Sequence, residues 1–139
     1  MREETESLLT KSTKLRVRYG ETDQMGYCYY GNYAQYFEVG RVEALRSLGM
    51  SYRELENMGV MLPVSDYHVK YKVPAKYDDE LRIVTHIKSI AGARITFDYE
   101  IYNETDRLIA TATTTLVFVD KTSMRPSKPP SAFMALFDE

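Results

Sequence analysis

Apolar and polar positions alternate with a period of two over most of this chain, and one stretch breaks the rule. From Val60 onward the alternation runs through "VSDYHVKYKV", "ELRIVTHIKSI", "RITFDYEIYN" and "RLIATATTTLVFVD", which predicts four long strands. The short links "GA" at 92–93 and "ETD" at 104–106 suit hairpins, so the last three strands are expected to form an antiparallel meander. Small residues on one face of the strand from Leu108 to Val119 mark it as a central strand lying against a helix. An earlier alternation, "KLRVRYG", predicts one more strand ending at Gly20.

The exception is Asn32 to Leu48. Tyr33, Tyr36, Phe37, Gly40, Ala44 and Leu48 recur at steps of three and four, one face of a helix. Asn32 suits its N-cap, with Gln35 three residues on, and Gly49 suits a left-handed C-terminal residue. Gly40 and Ala44 leave a flat strip for a close neighbour. Ser51 opens a short second helix closed by Gly59. Pro126, Pro129 and Pro130 end the pattern, and "SAFMALF" reads as a helical turn or a docking tail. The order of elements predicts an α+β fold, a sheet of about five strands around one long helix, in a single domain over 1–139. Residues 1–12 are expected to be frayed and 126–139 to form a tail. One covered sheet face leaves edges and a second face exposed, so dimerisation is expected.

The 139 residues carry a formal net charge of −2 without a block of cations, which argues against nucleic acid as partner. One cysteine cannot form an internal disulfide, the first residues lack a signal-like apolar run, and no segment is long enough to span a membrane. A soluble, cytoplasmic protein is expected.

The segment from Tyr19 to Arg41 reads Y-x-x-T-D-x-x-G-x-x-Y-Y-x-N-Y-x-x-Y-F-E-x-x-R. It resembles the N-terminal signature of the hotdog-fold thioesterases, in the branch of 4-hydroxybenzoyl-CoA thioesterase and the Tol-Pal-associated acyl-CoA thioesterases. "HVKYKVPAKYDDELRI" and "LIATATTTLVFVD" extend the likeness over nearly the whole chain. The resemblance implies hydrolysis of an acyl-CoA thioester by a homodimer or homotetramer with active sites at the subunit interface, without metal or cofactor. It assigns the catalytic carboxylate to Asp23 and the carbonyl-holding amides to Tyr30 and Gly31. Gly26, Tyr29, Asn32, Tyr33 and Glu38 become candidate substrate contacts.

The chemistry agrees with that assignment. Hydrolysis needs a base or nucleophile at the carbonyl carbon and donors aimed at the developing oxyanion. The first amides of a helix have no intrahelical acceptor, and the helix dipole favours negative charge there. Asp23 reaches that point if Gly26 lets the loop turn back, and either the base or the nucleophile role is open to it. Simpler readings stand beside these: Asp23 as a turn cap, Asn32 as a helix cap, and Tyr33, Tyr36 and Phe37 as core. Glu38 and Arg41, three apart, form a surface pair or line an interface; Arg41 is read as structural and Glu38 stays open. Cys28 as nucleophile would need a base, and His68 and His86 fall on the outward faces of their strands. A histidine-based hydratase is disfavoured for the same reason, and no metal-ligand spacing occurs. Arg94, Lys121 and Arg125 sit at strand ends as candidates for coenzyme A phosphates, though solvated cations explain them as well. A non-catalytic acyl-binding module and a thioesterase acting on acyl-carrier protein remain the alternatives.

Overall fold

In the computed structural model, residues 7–137 are described. Five strands form one antiparallel sheet: β1 (Leu9–Arg16), β3 (Val64–Tyr71), β4 (Glu80–Ala91), β5 (Arg94–Tyr102) and β6 (Leu108–Val117), in the spatial order β1-β4-β5-β6-β3. The meander of β4, β5 and β6 is as the hairpin links require. The middle strand is β5, however, and β6 lies one place from the edge. Two-residue strands β2 (Val60–Met61) and β7 (Val119–Asp120) pair separately. Register shifts between Ile87 and Ser89 and between Val64 and Asp66 bend the strands locally.

Helix α1 (Tyr33–Ser47) lies on the apolar face of the sheet. Phe37, fully buried, has its ring 4.8 Å from that of Tyr99 on β5. Gly40 packs on β4 so closely that an added Cβ would collide with the Thr85 hydroxyl and come within 2.9 Å of Ile83 Cγ2. The flat strip read from Gly40 is thus a real contact between helix and sheet. Leu81, Ile83, Ile87, Ile95, Phe97 and Ile101 fill the layer beneath α1, each fully buried. This is the hotdog arrangement, an α+β fold of five strands and one long helix.

Helix α2 (Tyr52–Asn57) begins in a capping box between Ser51 and Glu54 and ends before Gly59, whose φ is +90°. After the prolines, α3 (Ser131–Met134) docks through buried Phe133, whose ring stands 5.4 Å from Phe118.

Two expectations at the N-terminal end are corrected. Residues 9–12, expected to be frayed, are paired with β4 from Leu9 opposite Ile87 to Ser12 opposite Val84; residues 1–6 lie outside the described residues. The strand ends at Arg16 rather than Gly20, because Val17 turns inward to bond with the backbone of Asp78 and Asp79, and Tyr19–Glu21 forms a 3-10 turn.

Candidate active site

Between β1 and α1 the chain makes a miniature hairpin that carries Asp23 at its tip. The Tyr29 amide donates to the Glu21 carbonyl at 2.8 Å, Thr22 bridges Cys28, and the Asp23 amide donates to the Tyr27 carbonyl at 2.8 Å. The tip closes with the Gly26 amide on the Asp23 carbonyl at 3.0 Å. Gly26 has φ +82°, a left-handed conformation that glycine takes without a Cβ penalty, so this residue is what lets the loop reverse. The 75–77 segment buttresses the second arm, with the Cys28 amide on the Ala75 carbonyl and the Tyr77 amide on the Gly26 carbonyl.

The Asp23 carboxyl is divided in its duties. Oδ1 accepts from the Met25 amide at 2.9 Å and the Tyr27 amide at 3.2 Å, the local turn bonding that short acidic residues favour. Capping the turn and facing a cleft therefore coexist. The cleft, about 250 Å³, is lined by Asp23, Tyr27, Cys28, Tyr30, Tyr33 and Tyr71, with Lys72, Val73 and Pro74 at its side.

A 3-10 turn, Tyr30–Asn32, precedes α1, so the helical amides begin at Tyr30. Among the described residues neither the Tyr30 nor the Gly31 amide has a backbone acceptor. The Tyr30 carbonyl accepts the Tyr71 hydroxyl at 3.4 Å, which ties this turn to β3. At Gly31 a Cβ would stand 2.7 Å from the Tyr29 ring, so the position has no room for a side chain unless that ring moves.

Asn32 does not cap the helix. It already has helical angles, φ −81° and ψ −13°, and its side chain makes no cap bond. Its Nδ2 instead donates to the Glu21 carbonyl at 2.8 Å. The preceding 3-10 turn moves the helical start upstream and frees this side chain for a partner eleven residues back.

Of the residues singled out from sequence, Asp23, Tyr30 and Tyr33 share the cleft, and Gly31 adjoins it. Tyr33 is 3% exposed, its hydroxyl accepts the Ala75 amide at 3.3 Å, and burial pushes its pKa up to about 12. Gly26, Tyr29, Asn32 and Glu38 do not line the cleft: Gly26 shapes the turn, Tyr29 packs its ring at a tilt against Tyr30 with centroids 4.8 Å apart, Asn32 holds Glu21, and Glu38 is exposed further along α1. Glu38 and Arg41 make no ion pair. Arg41 turns inward, with Nε on the Tyr52 hydroxyl and Nη1 on the Tyr99 hydroxyl, each at 3.2 Å.

The Cys28 thiol is buried 3.3 Å from the Tyr36 hydroxyl, and burial raises its pKa, with Glu21 and Asp23 adding to the rise. That environment opposes thiolate formation. His68 is exposed and His86 bonds to Thr10 on the outer face of the sheet, so neither serves the thiol. No three His, Cys, Asp or Glu side chains among the described residues gather closely enough to hold a metal ion, and no described helix is long and apolar enough to cross a membrane. Tyr71 and Lys72 were missed as cleft residues. The "KYKVP" run does carry a signal, since Tyr71 falls on the strand face opposite that of outward-facing His68. Arg94, Lys121 and Arg125 are exposed and lie outside the cleft lining.

Comparison with known proteins gives this geometry a family. The model of the thioesterase-like superfamily matches residues 17–137. The chain belongs to the thioesterase-like superfamily. Within this superfamily it is similar to YneP of Bacillus subtilis, 38% identical over 86% of this chain and 87% of that protein. It is 34% identical, over 90% of this chain and 93% of the relative, to the acyl-CoA thioester hydrolase YbgC of Escherichia coli. The solved DHNA-CoA thioesterase of Staphylococcus aureus superposes with a TM-score of 0.82 at 35% identity, covering 86% of this chain and 80% of that one. The superfamily and its hotdog fold are thus those expected from the opening motif.

Proposed function

We propose that this protein hydrolyses acyl-CoA thioesters to a carboxylic acid and coenzyme A, with Asp23 as the base or nucleophile. The observation that carries the reading is that Asp23 and Tyr30 line one cleft, at the start of the helical amides. A thioester carbonyl seated there would direct its oxygen to the Tyr30 and Gly31 amides. Attack on the carbonyl carbon moves charge onto that oxygen, and two fixed donors stabilise it without reorganising. As a base, Asp23 takes a proton from the attacking water; as a nucleophile, it forms an anhydride that water then opens. In both routes the C–S bond breaks and the thiol leaves. Losing one such oxyanion donor typically costs about a hundred- to a thousandfold in rate.

The family relationship supports acyl-CoA as the substrate class, and Lys72 at the side of the cleft offers a cation for the phosphates. The reading also makes the active unit a dimer. Edge strand β3 exposes Val64 by 46%, Tyr67 by 42% and Tyr71 by 47%, an unpaired apolar edge that a second copy would cover. In such a dimer the cleft, which already includes Tyr71, lies beside the interface. A cytoplasmic location follows from the substrate.

The test is thiol release across aliphatic and aromatic acyl-CoAs and an acyl-carrier-protein thioester, with wild type and Asp23→Asn. Asparagine keeps an oxygen for the Met25 and Tyr27 amides, so the turn survives while the charge is lost. Full turnover by Asp23→Asn would remove Asp23 from the chemistry, and no turnover on any substrate would leave an acyl-binding module.

A further inference from the structure

Glu21 lies two residues before Asp23 and outside the cleft, yet three donors from the start of the helix converge on it. Its carbonyl accepts the Tyr29 amide and Asn32 Nδ2, both at 2.8 Å. Its carboxylate Oε1 accepts the Tyr36 hydroxyl at 2.7 Å and the Arg18 amide at 2.9 Å. Oε2 takes the Arg18 guanidinium at 3.0 and 3.1 Å. The side chain is only 12% exposed, and Tyr36 is 3% exposed. Burial alone would raise the carboxyl pKa; the Arg18 amide, the Tyr36 hydroxyl and the guanidinium outweigh it and hold the group below its ordinary value. Glu21 therefore stays an ionised acceptor.

The three donors bracket the reacting groups. Tyr29 and Asn32 flank Tyr30 and Gly31, while Tyr36 sits one turn into α1. On the other side, the chain needs only Thr22 to reach Asp23. One residue thus ties the carboxylate and the oxyanion amides to each other, although they belong to a hairpin and a helix that are otherwise joined along the chain through Cys28 and Tyr29 and across Ala75, which accepts from the Cys28 amide and donates to the Tyr33 hydroxyl.

We propose that Glu21 is a positioning residue for the hydrolysis, its carboxylate holding Asp23 in register with the Tyr30 and Gly31 amides through Tyr36, beside the main-chain bond from Asn32 that any residue at position 21 would keep. The proposal rests on the thioesterase reading of the same cleft. Because Glu21 does not reach the substrate, its loss should slow the chemical step and leave ground-state binding unchanged. Displacements of an ångström at a reacting pair cost rate steeply.

The experiment compares kcat and KM on one acyl-CoA for wild type, Asp23→Asn, Glu21→Ala, Glu21→Gln and Tyr36→Phe, with thermal midpoints recorded for each. Glu21→Ala and Tyr36→Phe should lower kcat about tenfold or more with KM changed by less than about twofold. Glu21→Gln keeps an oxygen for the Tyr36 hydroxyl and should recover most of the lost rate. If Glu21→Ala does not fold, Tyr36→Phe carries the test, since it deletes one hydroxyl and keeps the ring. Wild-type kcat in the folded Glu21→Ala or in Tyr36→Phe overturns the proposal, as does a change confined to KM. A Glu21→Gln variant as slow as Glu21→Ala also overturns it, by tying the rate to the charge. Should Asp23→Asn be inactive while Glu21→Ala is unaffected, only the positioning role falls; a fully active Asp23→Asn removes the parent reading and the positioning role together.

Discussion

Arg41 Nη1 stands 3.2 Å from the Tyr99 hydroxyl, which in turn is 2.6 Å from Thr114 Oγ1, so a helix cation is held inside the fold by phenols rather than by an acid. Among the described residues no carboxylate lies within ion-pair distance of it. Truncating it takes a donor from the half-buried Tyr52 hydroxyl and from Tyr99, which keeps Thr114, and opens a cavity. Arg41→Ala should cost about 3 kcal/mol and Tyr99→Phe about 1 kcal/mol. Urea unfolding of both single variants and the double variant checks this, and the double should cost less than the sum because the two share one bond.

The buried phenols also set an alkaline limit. Burial pushes Tyr33 and Tyr99 up to about 12, in Tyr99 against the opposing pull of Arg41. In the unfolded chain a tyrosine ionises near 10. Between these values the folded protein holds protons that the unfolded chain has released, so stability is full below about pH 10 and falls as pH rises toward 12. Each such tyrosine contributes a slope of about 1.4 kcal/mol per pH unit. Urea midpoints measured from pH 9 to 12 should fall, and Tyr99→Phe should fall less steeply than wild type.

At Gly40 the contact between helix and sheet leaves no room for a methyl group. In an exposed helix, Gly→Ala would gain about 1 kcal/mol; here the clash with Thr85 and Ile83 should outweigh that and give a net loss of about 1–2 kcal/mol. Thr85 Oγ1 is buried without a partner, so Thr85→Ala removes the nearer of the two obstacles together with an unsatisfied hydroxyl. The Gly40→Ala/Thr85→Ala pair should be more stable than Gly40→Ala alone, as thermal unfolding would show.

The C-terminal turn is anchored by one ring. Phe133 is fully buried between Phe118 and Phe137, at 5.4 Å from each. Phe133→Ala should cost about 3–5 kcal/mol, read by urea denaturation, while substitution of the half-exposed neighbour Met134 by Ala should cost under about 1 kcal/mol.

If β3 is covered by a second copy, a charge at its exposed apolar end should open the pair. Val64→Lys is expected to shift the protein toward monomer at micromolar concentration in light scattering, with far-ultraviolet dichroism unchanged.

Strands β4 to β6 and the apolar face of α1 could be read directly, because burial there follows the side-chain pattern, whereas β3 is exposed except at half-buried Val69 and shows the alternation in its sequence alone. β1 was set too late in the chain: "LTKSTKLR" is an edge strand with only Leu9, Thr13 and Leu15 partly buried, so it carries little apolar signal. The cap reading of Asn32 and the pairing of Glu38 with Arg41 fail for a common reason, while the structural role read for Arg41 holds. A cap and an i,i+3 ion pair are local patterns, whereas their real partners are Glu21, Tyr52 and Tyr99, eleven to fifty-eight residues away. Asp23 and the Tyr30–Gly31 turn were legible because the hairpin and the 3-10 turn that carry them are built within a dozen residues.

Most bonds that hold the Asp23 turn come from main-chain amides and carbonyls, and the two residues between Asp23 and Gly26 contribute no side chain to it. Gln24 and Met25 are exposed, Met25 by 73%. Any residue with a backbone N–H can stand at position 25, so the rim above the carboxylate can be rewritten in shape and charge while the carboxylate keeps its place. That makes the hairpin tip a practical site for redesign.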